Sequence, residues 1–136
     1  MKKIMGIDIG EKRIGIAISD SLGYTAQGVE TYARTGEGDA AYIVNKAKEL
    51  GASLVVAGLP LNMNGSEGPA VQNVREFAAL LTELGVEVAF QDERLTTVSA
   101  ERFLIEADVS RKKRRQVVDK LAATYILRAY LDRHPF

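Results

Sequence analysis

Residues 4–20 read IMGIDIGEKRIGIAISD, and the fold turns on how they pair. Residues 3–9 and 14–19 are apolar runs of strand length, joined by GEKR, a glycine-containing link of hairpin size. A third candidate strand covers Val29 to Ala33, so the chain opens as an antiparallel meander. One letter departs from the pattern. Asp8 stands between Ile7 and Ile9, where strands disfavour carboxylates and an unpaired buried charge is costly. A strand-end Asp also caps turns, and GEKR begins two residues on, so the strand alone leaves a structural and a functional reading open.

Downstream the period changes. After RTGEGD, the residues Ala41, Ile43, Val44, Ala47 and Leu50 share one helical face, and Gly51 follows as a C-terminal stop. SLVVAGLP and VEVAFQD are short continuous apolar runs of the buried-strand kind, and between them Pro69 opens a helix that runs to Leu84 and stops at Gly85. Two more helices are expected, from Thr96 or Thr97 to about Ala107 and from about Arg114 to Arg133. The order is β-β-β-α-β-α-β-α-α, with the last two strands in β-α-β units that imply parallel pairing. A single α/β domain over residues 1–136 is therefore expected: a mixed five-stranded sheet, helices on both faces and the first strand in its middle.

Composition narrows the chemistry. At 136 residues and 46% hydrophobic, the chain is large enough to bury one real core. It contains no Cys, which excludes disulfides, thiolate catalysis and Cys-based zinc sites. The single histidine, His134, lies next to the C-terminus, so imidazole acid–base chemistry is not expected. MKKIMGIDIG has its apolar run broken by glycine and Asp, unlike a signal peptide, and nothing approaches transmembrane length, so a cytoplasmic location is expected. Formal net charge is zero, and attraction to an acidic partner would depend on local clusters.

Three carboxylate positions stand out. Asp8 is the first. In VVDKLAATYILRAYLDRH, helical spacing places Lys120, Thr124, Arg128 and Asp132 on one polar stripe and Asp119 opposite it, above Ala122, Ala123 and Ile126. First-turn acids also favour the positive end of a helix dipole, but an inward orientation argues for more than that. FQDERLTT supplies Asp92 and Glu93 at the carboxyl end of the last strand, where open α/β sheets place ligands. Adjacent strand residues face opposite ways, so only one of the two can join Asp8, and the pattern does not choose between them. Oxygen ligands without nitrogen or sulfur suit Mg²⁺ or Mn²⁺, one or two ions, and such ions activate water and stabilise the leaving oxygen in phosphodiester cleavage.

GIDIGEKRIGIAISD, GLPLNMNG, DERLTT, ADVSRKKRR and DKLAATYILRAYLD together resemble, in order and spacing, the YqgF/RuvX family of Holliday junction resolvase-like proteins, over nearly the whole chain. The resemblance implies an RNase H-like fold and a nuclease that processes the 5′ end of precursor 16S ribosomal RNA, with ribosomal precursor particles as partners. It makes Asp8 the first-strand acid, Glu93 the acid after the last strand and Asp119 the helix acid, with Asp92 the weaker alternative. Resolution of four-way DNA is the alternative activity.

Around these acids, GLPLNMNGSEGPA links a strand end to a helix start, where backbone N–H groups can receive a phosphate. It is expected to act as a substrate-contacting flap that includes Asn62, Asn64 and Gly65, although Asn64-Gly65 also suits a plain turn. Lys12, Arg13 and Arg94, with the run Arg111, Lys112, Lys113, Arg114 and Arg115, are the candidate nucleic-acid contacts. Two rival classes remain: an actin-like or sugar-kinase-like phosphotransferase, for which the chain lacks a second DxG hairpin, and a non-catalytic RNA-binding assembly factor, which would gain by losing carboxylates that repel phosphate. The expected partner is structured RNA or branched DNA, met by a monomer or weak homodimer.

Overall fold

The computed structural model describes residues 3–94 and 111–135, with side chains in the last helix described from Lys120 onward. Strands β1 (Lys3–Ile9), β2 (Arg13–Ser19) and β3 (Ala26–Ala33) form the meander, followed by α1 (Asp39–Leu50), β4 (Ala52–Leu59), α2 (Pro69–Glu83), β5 (Val88–Asp92) and α3 (Arg111–Arg133). The expected helix from Thr96 or Thr97 to Ala107 lies outside the described residues.

All five strands form one sheet in the order β3-β2-β1-β4-β5. Antiparallel pairing joins β1 to β2 and β2 to β3, and parallel pairing joins β1 to β4 and β4 to β5. The first strand is central, because its hairpin partner fills one side while the β-α-β strands add on the other. This is the α/β architecture expected from the pattern.

Residue alternation then sorts the two faces. Met5, Ile7, Ile14, Ile16, Val55 and Ala57 face α1 and α2, where Ile43, Val44, Val74, Phe77 and Leu81 complete the larger core. Ile4, Ala17, Ala26 and Val56 face α3 and pack against Ala123, Ile126, Leu127 and Leu131. The α3 face is lined with small residues, and this brings the helix close. A Cβ added at Gly6 would stand 2.7 Å from Leu127 Cβ and 3.0 Å from the Ala123 carbonyl.

Two boundaries differ from expectation by three residues. Strand β3 begins at Ala26 because Ala26 and Gln27 pair with Ser19 and Ile18 past an irregularity in the ladder, which hides their alternation in the sequence. Helix α3 begins at Arg111, so the basic run lies within the helix instead of leading into it. Arg and Lys are good helix formers, and that propensity outweighs their unfavourable position at a helix N-terminus.

Candidate active site

Alternation along β1 puts Asp8 on the α3 face, together with Ile4 and Gly6. Across the sheet its partner in β2 is Gly15. In β4 the register Ile7 with Ala57 makes Gly58 the neighbour on the other side. Asp8 is therefore flanked on both sides by residues without side chains, which keeps the surface round its carboxylate low.

The end of β5 settles the strand phase. Ala89 packs with the α3 cluster and Val88 with the opposite one, and Gln91 is buried in register with Gly58. Glu93 keeps that phase one residue beyond the strand, its backbone N–H donating to the Leu59 carbonyl at 3.1 Å. Its Cδ and Cγ lie 3.0 and 3.1 Å from the point where a Cβ on Gly58 would stand, beside Ile126. The Glu93 side chain thus lies across Gly58, and Gly58 is next to Asp8. Any larger residue at position 58 would occupy the space that the carboxylate uses.

Asp92 faces away from this site and is engaged by its neighbour. Arg94 donates from its backbone N–H to Oδ1 at 2.8 Å, from Nε to Oδ2 at 3.0 Å and from Nη2 to Oδ2 at 2.8 Å. The Arg94 guanidinium holds the Asp92 carboxyl below the usual carboxylate range. Through Nη1, Arg94 also donates to the Met63 carbonyl at 3.2 Å, tying the DER segment to the loop after β4. Arg94 is thus a brace for that loop, a role that a basic residue in a list of nucleic-acid contacts does not suggest.

The loop itself is an ordered turn. Asn62 and Ser66 pair backbone to backbone at 2.9 Å, Asn62 Nδ2 donates to Ser66 Oγ at 2.9 Å, and Asn64 Oδ1 accepts from the Ser66 N–H at 2.9 Å. Gly65 has φ 87°, a left-handed conformation that glycine adopts without strain, so Asn64-Gly65 forms the turn its sequence suits. Gly68 caps α2 and Pro69 opens it. Lys12 is exposed in the β1–β2 turn, while Arg13 is half-buried at the start of β2, opposite Ala33.

Asp119 occupies α3 one turn before Ala123, the residue whose carbonyl approaches Gly6. Its carboxyl group, like the side chains of Arg111, Lys112, Lys113, Arg114 and Arg115, lies outside the described residues. Among the described residues no group of three or more acidic, His or Cys side chains could hold a metal ion. Asp8 and Glu93 nevertheless fit a hard divalent cation, because they are oxygen donors on one face and Gly58 leaves Glu93 room to lie beside Asp8. No Cys competes for a softer ion.

A family model described as RuvX, Holliday junction resolvase, matches residues 2–133. The chain belongs to the RuvX family. Relatives named "Putative pre-16S rRNA nuclease" include one from Moorella thermoacetica, 54% identical over 133 residues and covering 96% of this chain and 95% of its own length. Another, from Syntrophomonas wolfei, is 52% identical over 132 residues, covering 96% and 94%. Among solved structures, Thermus thermophilus RuvC in complex with a Holliday junction substrate superposes with a TM-score of 0.56 at 14% identity, over 98% of this chain and 96% of that one. At that identity the likeness establishes the fold, which is RNase H-like. Among the described residues of this RuvX-family chain, no helix is long and apolar enough to cross a membrane.

Proposed function

We propose that the protein is a metal-dependent endonuclease that trims the 5′ end of precursor 16S ribosomal RNA, acting on structured RNA within ribosomal precursor particles. The observation that carries this reading is the placement of the Glu93 side chain over Gly58, beside Asp8, at the carboxyl end of the parallel strands. Family membership and the names of the relatives give the substrate class.

In this reading Asp8, Glu93 and Asp119 hold Mg²⁺ or Mn²⁺. The bound ion supplies an activated water and neutralises charge building on the phosphate oxygens. The protein's own part is to gather carboxylates from a strand, a strand end and a helix, so that no single flexible segment sets their spacing. Asp8 is fixed by the central strand, and Glu93 by its backbone bond to Leu59 and its seat against Ile126. The loop from Asn62 to Gly68, braced by Arg94, borders the same end of the sheet and is positioned to touch the RNA backbone. Lys12, Arg13 and the cations of α3 supply positive charge along the path.

The test uses purified protein with structured RNA, single-stranded RNA and a four-way DNA junction, in Mg²⁺ and then in Mn²⁺. Metal-dependent cleavage of structured RNA is expected, and it should disappear in Asp8→Asn. Undiminished activity in that variant would overturn the mechanism. Preference for the four-way junction would move the substrate to DNA, as the description of the family model suggests.

A further inference from the structure

On the opposite face of the sheet, at the same end as Asp8, a cleft of about 500 Å³ opens between the β1–β2 turn, the β3–α1 link and α2, a size suited to a small ligand or a nucleotide. Its lining includes Glu11, Arg34, Asn73, Glu76, Phe77 and Leu80.

The floor is Arg34. Its guanidinium carbon lies 5.2 Å from the centre of the Phe77 ring. Nη1 donates to the Gly10 carbonyl at 2.8 Å and Nε to Asp39 Oδ2 at 3.3 Å, while the Arg34 backbone N–H donates to the Lys12 carbonyl at 2.8 Å. These bonds to two segments, with the ring below, hold the guanidinium in one orientation. Phe77 is buried beneath it, and the Arg34 side chain is 25% exposed, so the surface offered to a ligand is the outer face of a fixed, planar cation. Such planes stack on nucleobases. Leu80, 48% exposed, adds an apolar wall.

The rim has the opposite character. Glu11 and Glu76 are carboxylates, which accept hydrogen bonds and repel phosphate, so the cleft is not built for the backbone. A flat platform flanked by two carboxylates that only accept, with Asn73 able to donate as well as accept, suits a base that presents donors beside an acceptor. Of the four RNA bases only guanine offers two adjacent N–H donors on its Watson–Crick edge, and one carboxylate can accept both. The cleft is also close to the chemistry. Glu11 follows Asp8 by three residues, at most roughly 11 Å of extended chain, a gap that a short single strand crosses over the Lys12–Arg13 turn.

We propose that this cleft is a base-recognition subsite that takes an unpaired guanine near the scissile bond. The proposal rests on the reading of the protein as an RNA nuclease. It assigns sequence preference to a surface separate from the carboxylates, on the other face of the sheet at the same end.

Binding is measured with the Asp8→Asn protein in Mg²⁺, by fluorescence anisotropy of labelled oligouridylates carrying a single internal G, A or C. The G-containing strand should bind on the order of tenfold more tightly than the others, the scale of one good bidentate base contact. Adding Glu76→Gln or Glu11→Gln should remove most of that preference without weakening binding of the plain oligouridylate, which loses a repelling charge and no contact. Both positions are exposed, so these exchanges do not threaten the fold. Arg34→Lys, which keeps the charge and loses the plane, should weaken every strand that carries a purine. Equal affinity for all four strands, or a guanine preference that survives both exchanges, would overturn the subsite even if wild-type RNA cleavage stands. Tighter binding of a Lys-Arg tetrapeptide than of any oligonucleotide, lost in Glu76→Gln, would overturn it in favour of a basic protein partner. Absence of metal-dependent RNA cleavage by the wild type is the separate result that removes the nuclease reading.

Discussion

At the scale of single residues, the proposed site depends on which of two adjacent carboxylates faces α3. The sequence shows DE after an apolar strand but cannot phase it, because the run VAF has no alternation of apolar and polar residues to mark one face. In the structure the phase follows from Gly58, whose missing side chain is the space that Glu93 fills, while Asp92 is bound to Arg94 on the other side. The glycine in SLVVAGLP was the available signal, since glycine inside a strand marks a close approach. Glu93→Gln should therefore lower kcat by roughly 100-fold, the scale of losing one group at the reacting charge. Asp92→Asn keeps a neutral hydrogen bond to Arg94 but loses the charge, so it should loosen the loop at Met63 and raise KM, with kcat falling by about tenfold or less. Steady-state kinetics on a structured RNA distinguish the two effects. A larger loss of kcat in Asp92→Asn would mean that the catalytic carboxylate has been assigned to the wrong face.

Elements were legible in proportion to how local their signals are. The hairpin, the Pro69 start of α2 and the Gly51 stop of α1 are written in neighbouring residues, and the structure follows them. The link between β3 and α1 was not legible, because it is organised by a buried acid at the helix start whose donors all lie upstream, in the link itself and at Tyr32 in β3. Asp39, 1% exposed, accepts from the Tyr32 hydroxyl at 2.8 Å, the Thr35 N–H at 2.9 Å, the Gly36 N–H at 3.1 Å and Arg34 Nε at 3.3 Å. Burial alone would raise its pKa, but these donors together outweigh burial and hold it at about 2, against an ordinary 3.8. A carboxylate with a folded value below its unfolded one contributes stability that is complete above about pH 4 and disappears as the pH falls toward 2. That contribution is about 2 kcal/mol. Asp39→Asn should accordingly melt below the wild type near neutral pH, with the difference in Tm narrowing as the pH falls from 4 toward 2. A difference that stays constant over that range would show that the charge of Asp39 is not what ties the link to the helix.

For the whole molecule, the fold followed from the order of strands and helices, whereas the site needed contacts between residues far apart in the chain. The proposed acids Asp8, Glu93 and Asp119 come from three elements; residue type and pattern grouped Asp8 and Asp119 with the Asp92-Glu93 pair, and the resemblance across nearly the whole sequence singled out Glu93. Charge is distributed on the same scale. The chain is formally neutral, yet five of its cations fall consecutively at positions 111–115, in the opening turns of α3 and a turn or so before Asp119. A helix N-terminus disfavours positive charge, so this placement carries a local cost that binding to a polyanion would offset. Charges of this kind contribute little to folding stability, and replacing Lys112, Lys113 and Arg114 with Ala should leave the Tm nearly unchanged, since Ala is the better helix former. Affinity for nucleic acid of any sequence should fall, and the log–log dependence on salt should flatten by roughly 0.7 for each single-strand phosphate contact removed. The loss should be uniform across sequences, unlike the base-dependent loss expected at the Arg34 cleft, so one panel of oligonucleotides at several salt concentrations separates backbone contacts from base contacts. An unchanged salt slope in the triple variant would mean that the opening of α3 is only a solvated helix end. The path of the strand would then run along Lys12, Arg13 and the loop from Asn62 to Gly68.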